Sequence, residues 1–230
     1  MRAATRARIS IGTGTSIASF SIGSRTIARS ISLNAAALAA GGAIQFIARI
    51  GDPAPGGGTY YGAGEPVLNN RGDVAFSGIL SPPDSNNIGN AEKEGVFLHT
   101  ASGTIALARP GDAMPGGGTL LRTSFFQAEL FINGRGDVVF SGTVDTDVNS
   151  DGIDDTGVWV SSGGKLRLVA RTGTVIPGVG TLAQFINGNG APPGETSDGC
   201  VINNRGQVLF SAILSDGRIG LFIATPAPSR

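Results

Sequence analysis

The sequence is poor in the residue types on which most catalytic sites depend. Its 230 residues include one cysteine, Cys200, and one histidine, His99. A single cysteine cannot form an internal disulfide, and one cysteine with one histidine is too few for a zinc site. A serine hydrolase triad is disfavoured too, because no G-x-S-x-G nucleophile elbow occurs. Cys200 is therefore expected to be a buried strand residue.

Charge of one sign and long apolar runs are also lacking. Lysine plus arginine and aspartate plus glutamate each number 17, so the formal net charge is zero. A neutral chain offers no basic field to attract nucleic acid. No stretch reaches the roughly 18 consecutive apolar residues that a transmembrane helix needs, so no membrane span is expected.

Glycine, in contrast, is abundant: the chain has 37, many of them at the turn positions of a repeat. The frame N-x-x-G-x-x-x-F occurs at 69–76, 133–140 and 203–210. A segment A-R-x-G-x-x-x-P-G-x-G-T precedes each frame, at 48–59, 108–119 and 170–181. A Gly-apolar-aromatic triplet follows each frame: Gly95-Val96-Phe97, Gly157-Val158-Trp159 and Gly220-Leu221-Phe222. A period of about 60 residues indicates supersecondary units that bury their apolar faces against one another.

Each unit is predicted to contain four short antiparallel strands. Asn-x-x-Gly is turn chemistry that joins a short apolar run to an alternating run rich in β-branched and aromatic residues. The Gly-apolar-aromatic triplet begins a third strand, and a Ser-Gly or Gly-Gly turn leads into a fourth. The sequence therefore predicts an all-β fold, a β-propeller-like repeat of about three four-stranded antiparallel blades.

The ends of the chain depart from the repeat. Residues 1–42 are predicted to be a degenerate N-terminal segment, either a tail or a partial blade, and a weak signal sequence is an alternative. Residues 43–225 form the tandem-repeat β domain, and 226–230 a C-terminal tail. The last unit lacks a fourth strand, whereas Ala43–Arg49 is a fourth strand before the first unit. We predict that this strand closes the last blade; self-association to complete a propeller, or a longer repeat array, are alternatives.

The three elements, repeated in order, resemble the bacterial choice-of-anchor tandem-repeat proteins, which carry an N-x-x-G-type repeat. The resemblance covers about residues 43–225. It implies an exported protein at the cell surface or in the extracellular space, with no established enzyme activity.

An acidic segment at 145–155 interrupts the second unit. It contains the pattern D-x-N-x-D-G, in which oxygen ligands at alternate positions can converge on a hard cation. The predicted ligands of a structural Ca²⁺ are Asp147, Asn149, Asp151, the carbonyl of Ile153, and Asp155. The alternative is a solvated acidic hairpin tip.

Two other patterns are interpreted as structural. The Arg-Gly-Asp sequences at 71–73 and 135–137 coincide with the repeat turn, so we attribute them to that turn rather than to adhesion. Recurring carboxylates could serve a propeller hydrolase or lyase, the candidates being Glu65, Glu129, Asp52 and Asp112. Their recurrence in successive units instead favours hydrogen bonding within turns.

The function predicted from these features is a non-enzymatic exported repeat scaffold of a bacterial surface protein that binds a protein or a carbohydrate. The alternative is a propeller hydrolase or lyase that uses channel carboxylates. No nucleic-acid partner is expected. A ligand is expected to meet the acidic segment or the long third connector at 187–198, since functional residues concentrate on loops that a rigid scaffold supports.

Overall fold

The computed structural model describes residues 35–40, 43–80, 94–123, 130–148, 150, 152–186 and 200–226. These ranges contain strands and turns and no helix, and every strand pair is antiparallel. The all-β antiparallel class predicted from the sequence is confirmed. The described residues contain no helix that is long and apolar enough to cross a membrane.

The first unit is a four-stranded sheet in simple sequence order. Its strands are β3 (Tyr60–Leu68), β4 (Val74–Leu80), β5 (Glu94–Thr100) and β6 (Gly103–Ala108). The frame beginning at Asn69 is the turn between β3 and β4. The four predicted strands of this unit are therefore present in the predicted order.

The second unit repeats this sheet with a divided first strand, and the third does so without a described fourth strand beside its third. The second unit contains β7 (Leu120–Thr123), β8 (Leu130–Ile132), β9 (Val138–Val144), β10 (Thr156–Ser162) and β11 (Lys165–Arg171). The third contains β12 (Val175–Ile176), β13 (Gly180–Phe185), β14 (Cys200–Ile202), β15 (Val208–Leu214) and β16 (Ile219–Ala224). In both units two short strands share one edge of the central strand: β7 and β8 pair with β9, and β13 and β14 pair with β15.

The Gly-apolar-aromatic triplet has a packing reason. Residues i and i+2 of a strand lie on the same face, so the aromatic ring turns back over the glycine. A Cβ at Gly157 would lie 2.5 Å from the Trp159 ring, and one at Gly220 would lie 2.6 Å from the Phe222 ring. Only glycine leaves room for the ring at this position.

Three apolar clusters form the core: two of them join consecutive units, and the third packs β2 and the first connector against the first unit. In the middle cluster, Val96 and Ala108 of the first unit pack with Leu120, Phe140 and Trp159 of the second. Equivalent residues of the second unit, Val158 and Ala170, pack with the third unit. The sheet of the second unit is therefore covered on both faces, by the first unit and by the third. This accounts for the burial of all seven residues of its central strand β9.

The N-terminal strand has a different partner from the one predicted. The strand β2 (Ala43–Arg49) pairs with β1 (Ala35–Ala40) in a separate two-stranded sheet. No described strand pairs with the outer edge of β16, so the prediction that β2 closes the last unit within this chain is wrong. A partner two residues away in the chain is cheaper to bring together than one at the far end, because closing a short loop costs less entropy.

The β1–β2 hairpin crosses the boundary predicted at residue 42. It repeats the register of β10–β11, including a bulge at the same position, so it corresponds to the third and fourth strands of a unit. Residues 1–34, 41–42 and 227–230 lie outside the described residues.

Candidate functional site

The repeat asparagine organises its own turn. The Asn133 Oδ1 atom accepts hydrogen bonds from the backbone N–H groups of Arg135 and Asp137, both at 2.9 Å. Its Nδ2 atom donates to Asp137 Oδ2 at 2.7 Å. Gly136 supports this loop with φ of +85°, a value that glycine adopts without strain. The same pattern occurs at Asn69 and Asn203, so the frame predicted as a turn is confirmed as one.

The same asparagines also connect the units, which sequence reasoning did not find. Asn69 Nδ2 donates to the carbonyl oxygen of Asn133 at 3.1 Å, and Asn133 Nδ2 donates to that of Asn203 at 2.9 Å. We call this chain of bonds the asparagine ladder. An aspartate could also accept the backbone N–H groups of the turn, but it has no N–H to donate to the next unit. The asparagine in all three frames was therefore the sequence signal for this contact.

In each Arg-Gly-Asp sequence the arginine binds the aspartate within the repeat turn. Arg71 donates to Asp73 Oδ2 from Nε at 2.9 Å and from Nη2 at 2.6 Å, and Arg135 binds Asp137 in the same way. Both aspartates are buried. An adhesion motif would need the arginine and the aspartate to be presented separately, so the geometry supports the structural interpretation of these tripeptides.

Acid is expected to destabilise the first two units through Asp73 and Asp137. Burial raises the pKa of each carboxyl group, but the hydrogen bonds outweigh it and hold the pKa below its ordinary value. They come from Asn69 and Arg71 to Asp73, and from Ser162, Asn133 and Arg135 to Asp137. Ser162 Oγ adds a 2.6 Å bond to Asp137 Oδ1. A lowered folded-state pKa means that the unfolded chain takes up protons first, so the stabilisation is complete above the unfolded pKa and is lost as the pH falls through the folded pKa.

The measurement is the midpoint of acid unfolding, followed by circular dichroism. The double substitution Asp73→Asn and Asp137→Asn should flatten the decline below pH about 4. Asp216→Asn is the matched control, since the pKa of Asp216 is also lowered by its neighbour Arg218 but the carboxylate is exposed. An unchanged acid limb in the double variant would contradict the assignment.

Two of the recurring carboxylates are turn residues rather than an acid–base pair. Asp52 Oδ2 accepts from the backbone N–H of Arg49 at 3.0 Å, and Asp112 Oδ2 from that of Arg109 at 2.8 Å. In the third unit the hydroxyl of Thr174 accepts the equivalent bond from Arg171 at 3.0 Å. The structural interpretation of this position is confirmed. The Glu65 side chain and Glu129 lie outside what the structure describes.

Arginines at the ends of fourth strands hold the glycine-rich connectors. Arg109 donates to the carbonyl oxygens of Gly56 and Gly57, and Arg171 donates to that of Gly117. In the third unit Arg218, from the β15–β16 turn, donates to the equivalent carbonyl of Val179 at 2.6 Å. Arginine side chains therefore hold the connectors of successive units in place.

The acidic segment is closed by its own hydrogen bonds. The buried Asp155 accepts from the hydroxyls of Thr146 and Thr172, both at 2.6 Å, and from the N–H of Val148 at 3.1 Å. Asp147 Oδ2 accepts from the Gly152 N–H at 2.9 Å.

Of the five predicted calcium ligands, the structure therefore brings Asp147 to the exposed turn and Asp155 to its buried base, while the Ile153 side chain is exposed. Asn149 and Asp151 fall outside the described ranges. Within those ranges no group of three or more His, Cys, Asp or Glu side chains is placed to hold a metal ion.

The remaining candidates are strand residues. His99 Nδ1 lies 2.8 Å from the hydroxyl of Thr104 on the neighbouring strand. Cys200 is fully buried in the core between the second and third units, as the sequence predicted.

Comparison with known proteins gives a family but no activity. No curated protein matches the sequence. One solved structure, the X-ray structure of a proposed gluconolactonase, aligns at 17% identity over 87% of this chain and 60% of its own, with a TM-score of 0.36. The chain thus spans 60% of the length of that protein, and a match at this identity and score carries neither fold nor function to it. Residues 28–192 match the Family of unknown function (DUF7453), and the chain therefore belongs to that family.

Proposed function

We propose that this protein is a non-enzymatic repeat scaffold of a bacterial surface or extracellular protein, and that it presents loops to a protein or carbohydrate partner. The observation that carries the proposal is the asparagine ladder. The polar side chains that recur in every described unit are committed to turns and to contacts between units. The recurring polar side chains therefore stabilise the fold. A binding site is expected instead on the loops that do not recur from unit to unit.

The architecture that we propose is β-propeller-like. Antiparallel sheets of four or five strands follow one another face to face, which is typical of blades. The ladder supports this arrangement because it brings the equivalent turns of successive sheets together at one end, as a radial arrangement does. An extracellular location is supported by the resemblance to exported choice-of-anchor proteins and stays a proposal.

The test separates binding from turnover. Immobilised protein is exposed to a panel of bacterial and plant polysaccharides and to surface extracts, and binding is followed by interferometry; the same protein is assayed for hydrolysis of esters, lactones and glycosides. The scaffold proposal expects saturable binding without product. Turnover that disappears in Glu65→Gln or Glu129→Gln but survives in the turn variant Asp112→Asn would overturn it and establish the hydrolase alternative.

We also propose that the acidic segment binds Ca²⁺ as a structural ion. The observation in favour is that hydrogen bonds fix Asp155 at the base of the segment and link Asp147 to Gly152 at its exposed turn. Side chains that are already held in place lower the ordering cost of binding.

Calcium is therefore expected to raise the melting temperature by about 3–6 °C at ten times its dissociation constant. The basis is mass action, since a ligand that binds only the folded state stabilises it by about 1.4 kcal/mol at that concentration. Differential scanning calorimetry with Ca²⁺ and with Mg²⁺ measures the effect. Asp147→Asn should remove it, whereas Asp216→Asn, at an exposed aspartate of the third unit, should keep it. No shift at millimolar calcium would remove the metal from the proposal.

A further inference from the structure

The third sheet has an apolar face that nothing in the described part of the chain covers. On β15, alternate residues Val208, Phe210, Ala212 and Leu214 lie in the core with the second unit, so the intervening residues point the other way. Those residues pair across to β16 as Leu209 with Ile223, Ser211 with Leu221, and Ile213 with Ile219. Residues directly opposite on paired strands share a face. These six residues are called the outer face below.

The same face is an interface between units elsewhere in the molecule. Leu221 occupies the middle of its Gly-apolar-aromatic triplet, as Val96 and Val158 do in theirs. Val96 and Val158 are 2% and 1% exposed because the next unit packs on them, whereas Leu221 is 67% exposed. The outer face therefore has the composition of a contact between units, and no described residue of this chain makes that contact.

The edge of the third sheet is open in the same place. In the first two units the third strand pairs with a fourth, β5 with β6 and β10 with β11. Among the described strands none pairs with the outer edge of β16. Natural edge strands usually carry charges that block further pairing, as the exposed Lys165 does on β11. No charged residue occurs in Ile219–Ala224.

The strand that fits this edge is β2. It ends in Ala48-Arg49, as β6 is followed by Arg109 after Ala108, and Ala48 is buried in the core of the first unit as a fourth-strand alanine should be. Phe46 is 56% exposed, although its equivalents Ala106 and Leu168 pack into the cores of their own units. The partner of β2 in this structure is β1, which consists of five alanines and one leucine and has no Gly-apolar-aromatic triplet.

We propose that β2 of one copy pairs with β16 of a second copy in place of β1, so that the two chains complete one standard unit at their junction. The register of β10 with β11 places Leu221 opposite Ala48 and Phe222 opposite Phe46. Leu221 then meets the first-unit core of the other chain, as Val158 meets the third. The asparagine ladder continues through the junction, with Asn203 Nδ2 donating to the Asn69 carbonyl oxygen of the second copy.

This proposal does not depend on the binding function proposed above. Its first test is the mass of the 230-residue chain by light scattering over about a hundredfold range of concentration. The expected result is a mass above 23.2 kDa that rises with concentration. Leu221→Glu should weaken the association at least about 100-fold, because the contact would bury a carboxylate without a partner.

Val175→Glu is the matched control, because Val175 is 69% exposed and lies outside the outer face. It should leave the association unchanged. Circular dichroism of dilute Leu221→Glu checks that the monomer is folded, as expected for a substitution at an exposed site. A chain that stays monomeric at every concentration overturns the proposal, as does equal weakening by both substitutions.

The second test is the register. The β10–β11 pairing of Val160 with Arg167 predicts that Ile223 lies opposite Gln45 of the other copy. A mixture of Gln45→Cys and Ile223→Cys chains should therefore form a mixed disulfide dimer under mild oxidation, and neither chain alone should do so, since Cys200 is buried. Dimers of Ile223→Cys with itself would indicate a symmetric face-to-face contact and overturn the strand pairing. If the double variant Gln45→Cys and Ile223→Cys formed an internal disulfide as a monomer, β2 would pair with β16 of the same chain, and the proposal of a second copy would be overturned.

Discussion

Replacing Asn133 by alanine is expected to lower the free energy of unfolding by about 3 kcal/mol, because the buried groups that it binds lose their partners. The side chain accepts two backbone N–H groups, donates to Asp137, and donates to the Asn203 carbonyl of the next unit. For a chain of this size the melting temperature should fall by roughly 6–12 °C. Fluorescence of Trp159, the only tryptophan, follows the second unit directly.

Asn203→Ala is the matched control for the ladder. Asn203 makes the same bonds within its turn, to Arg205, to Gln207 N–H and to Gln207 Oε1, but its turn is exposed and its amide reaches no further described unit. Its loss should cost about 1 kcal/mol. The difference between the two variants measures burial together with the contact between units. Equal losses would show that the ladder contributes nothing beyond the turn.

Replacing Trp159 by alanine should destabilise the protein by about 4 kcal/mol, the largest effect of any single side chain considered. Trp159 is fully buried in the core that joins the first two units, and its ring stacks on Phe140 with centroids 6.3 Å apart. Its Nε1 also donates to the carbonyl oxygen of Pro115 at 3.0 Å, which ties the connector to the sheet. Urea unfolding followed by circular dichroism measures the loss, since fluorescence disappears with the residue.

Trp159→Phe serves as the comparison because phenylalanine stands at the same position in the other two units, at Phe97 and Phe222. It keeps an aromatic ring at this position, as Phe222 does over Gly220, and removes the extra volume of the indole and the bond to Pro115. We expect a loss of about 1–2 kcal/mol. If Trp159→Phe were as damaging as Trp159→Ala, the packing of the ring over the glycine would not be the source of the stability.

The local features of the fold were predictable because they depend on neighbours in the chain. The turn at Asn133 needs an amide oxygen and a glycine three residues later, and both are visible in the sequence. The role of Asp52 and Asp112 in their turns followed from their recurrence in successive units. The ladder was missed because its acceptor, the carbonyl of Asn203, lies 70 residues away from the donor Asn133.

The partner of β2 shows the opposite case, in which a sequence argument gave the right kind of strand and the wrong pairing. Fourth-strand character is local, and Ala48 is buried as that character requires. Pairing is a competition between edges, and β1 is two residues away whereas β16 is not brought near within the chain. The choice depends on loop entropy and on which copies meet, which a residue pattern does not contain.

The frame N-x-x-G-x-x-x-F, with its glycines and alternating apolar residues, by itself determined an all-β chain of repeated antiparallel units, because turn geometry and strand alternation are properties of adjacent residues. Only the tertiary structure decided that Asn69 and Asn133 also bind the next unit, that Asp73 and Asp137 are buried, and that Leu221 is left exposed. Those facts depend on which sheets stack on which. Stacking depends on the total apolar surface that distant segments bury against one another, and a local residue pattern does not contain that quantity.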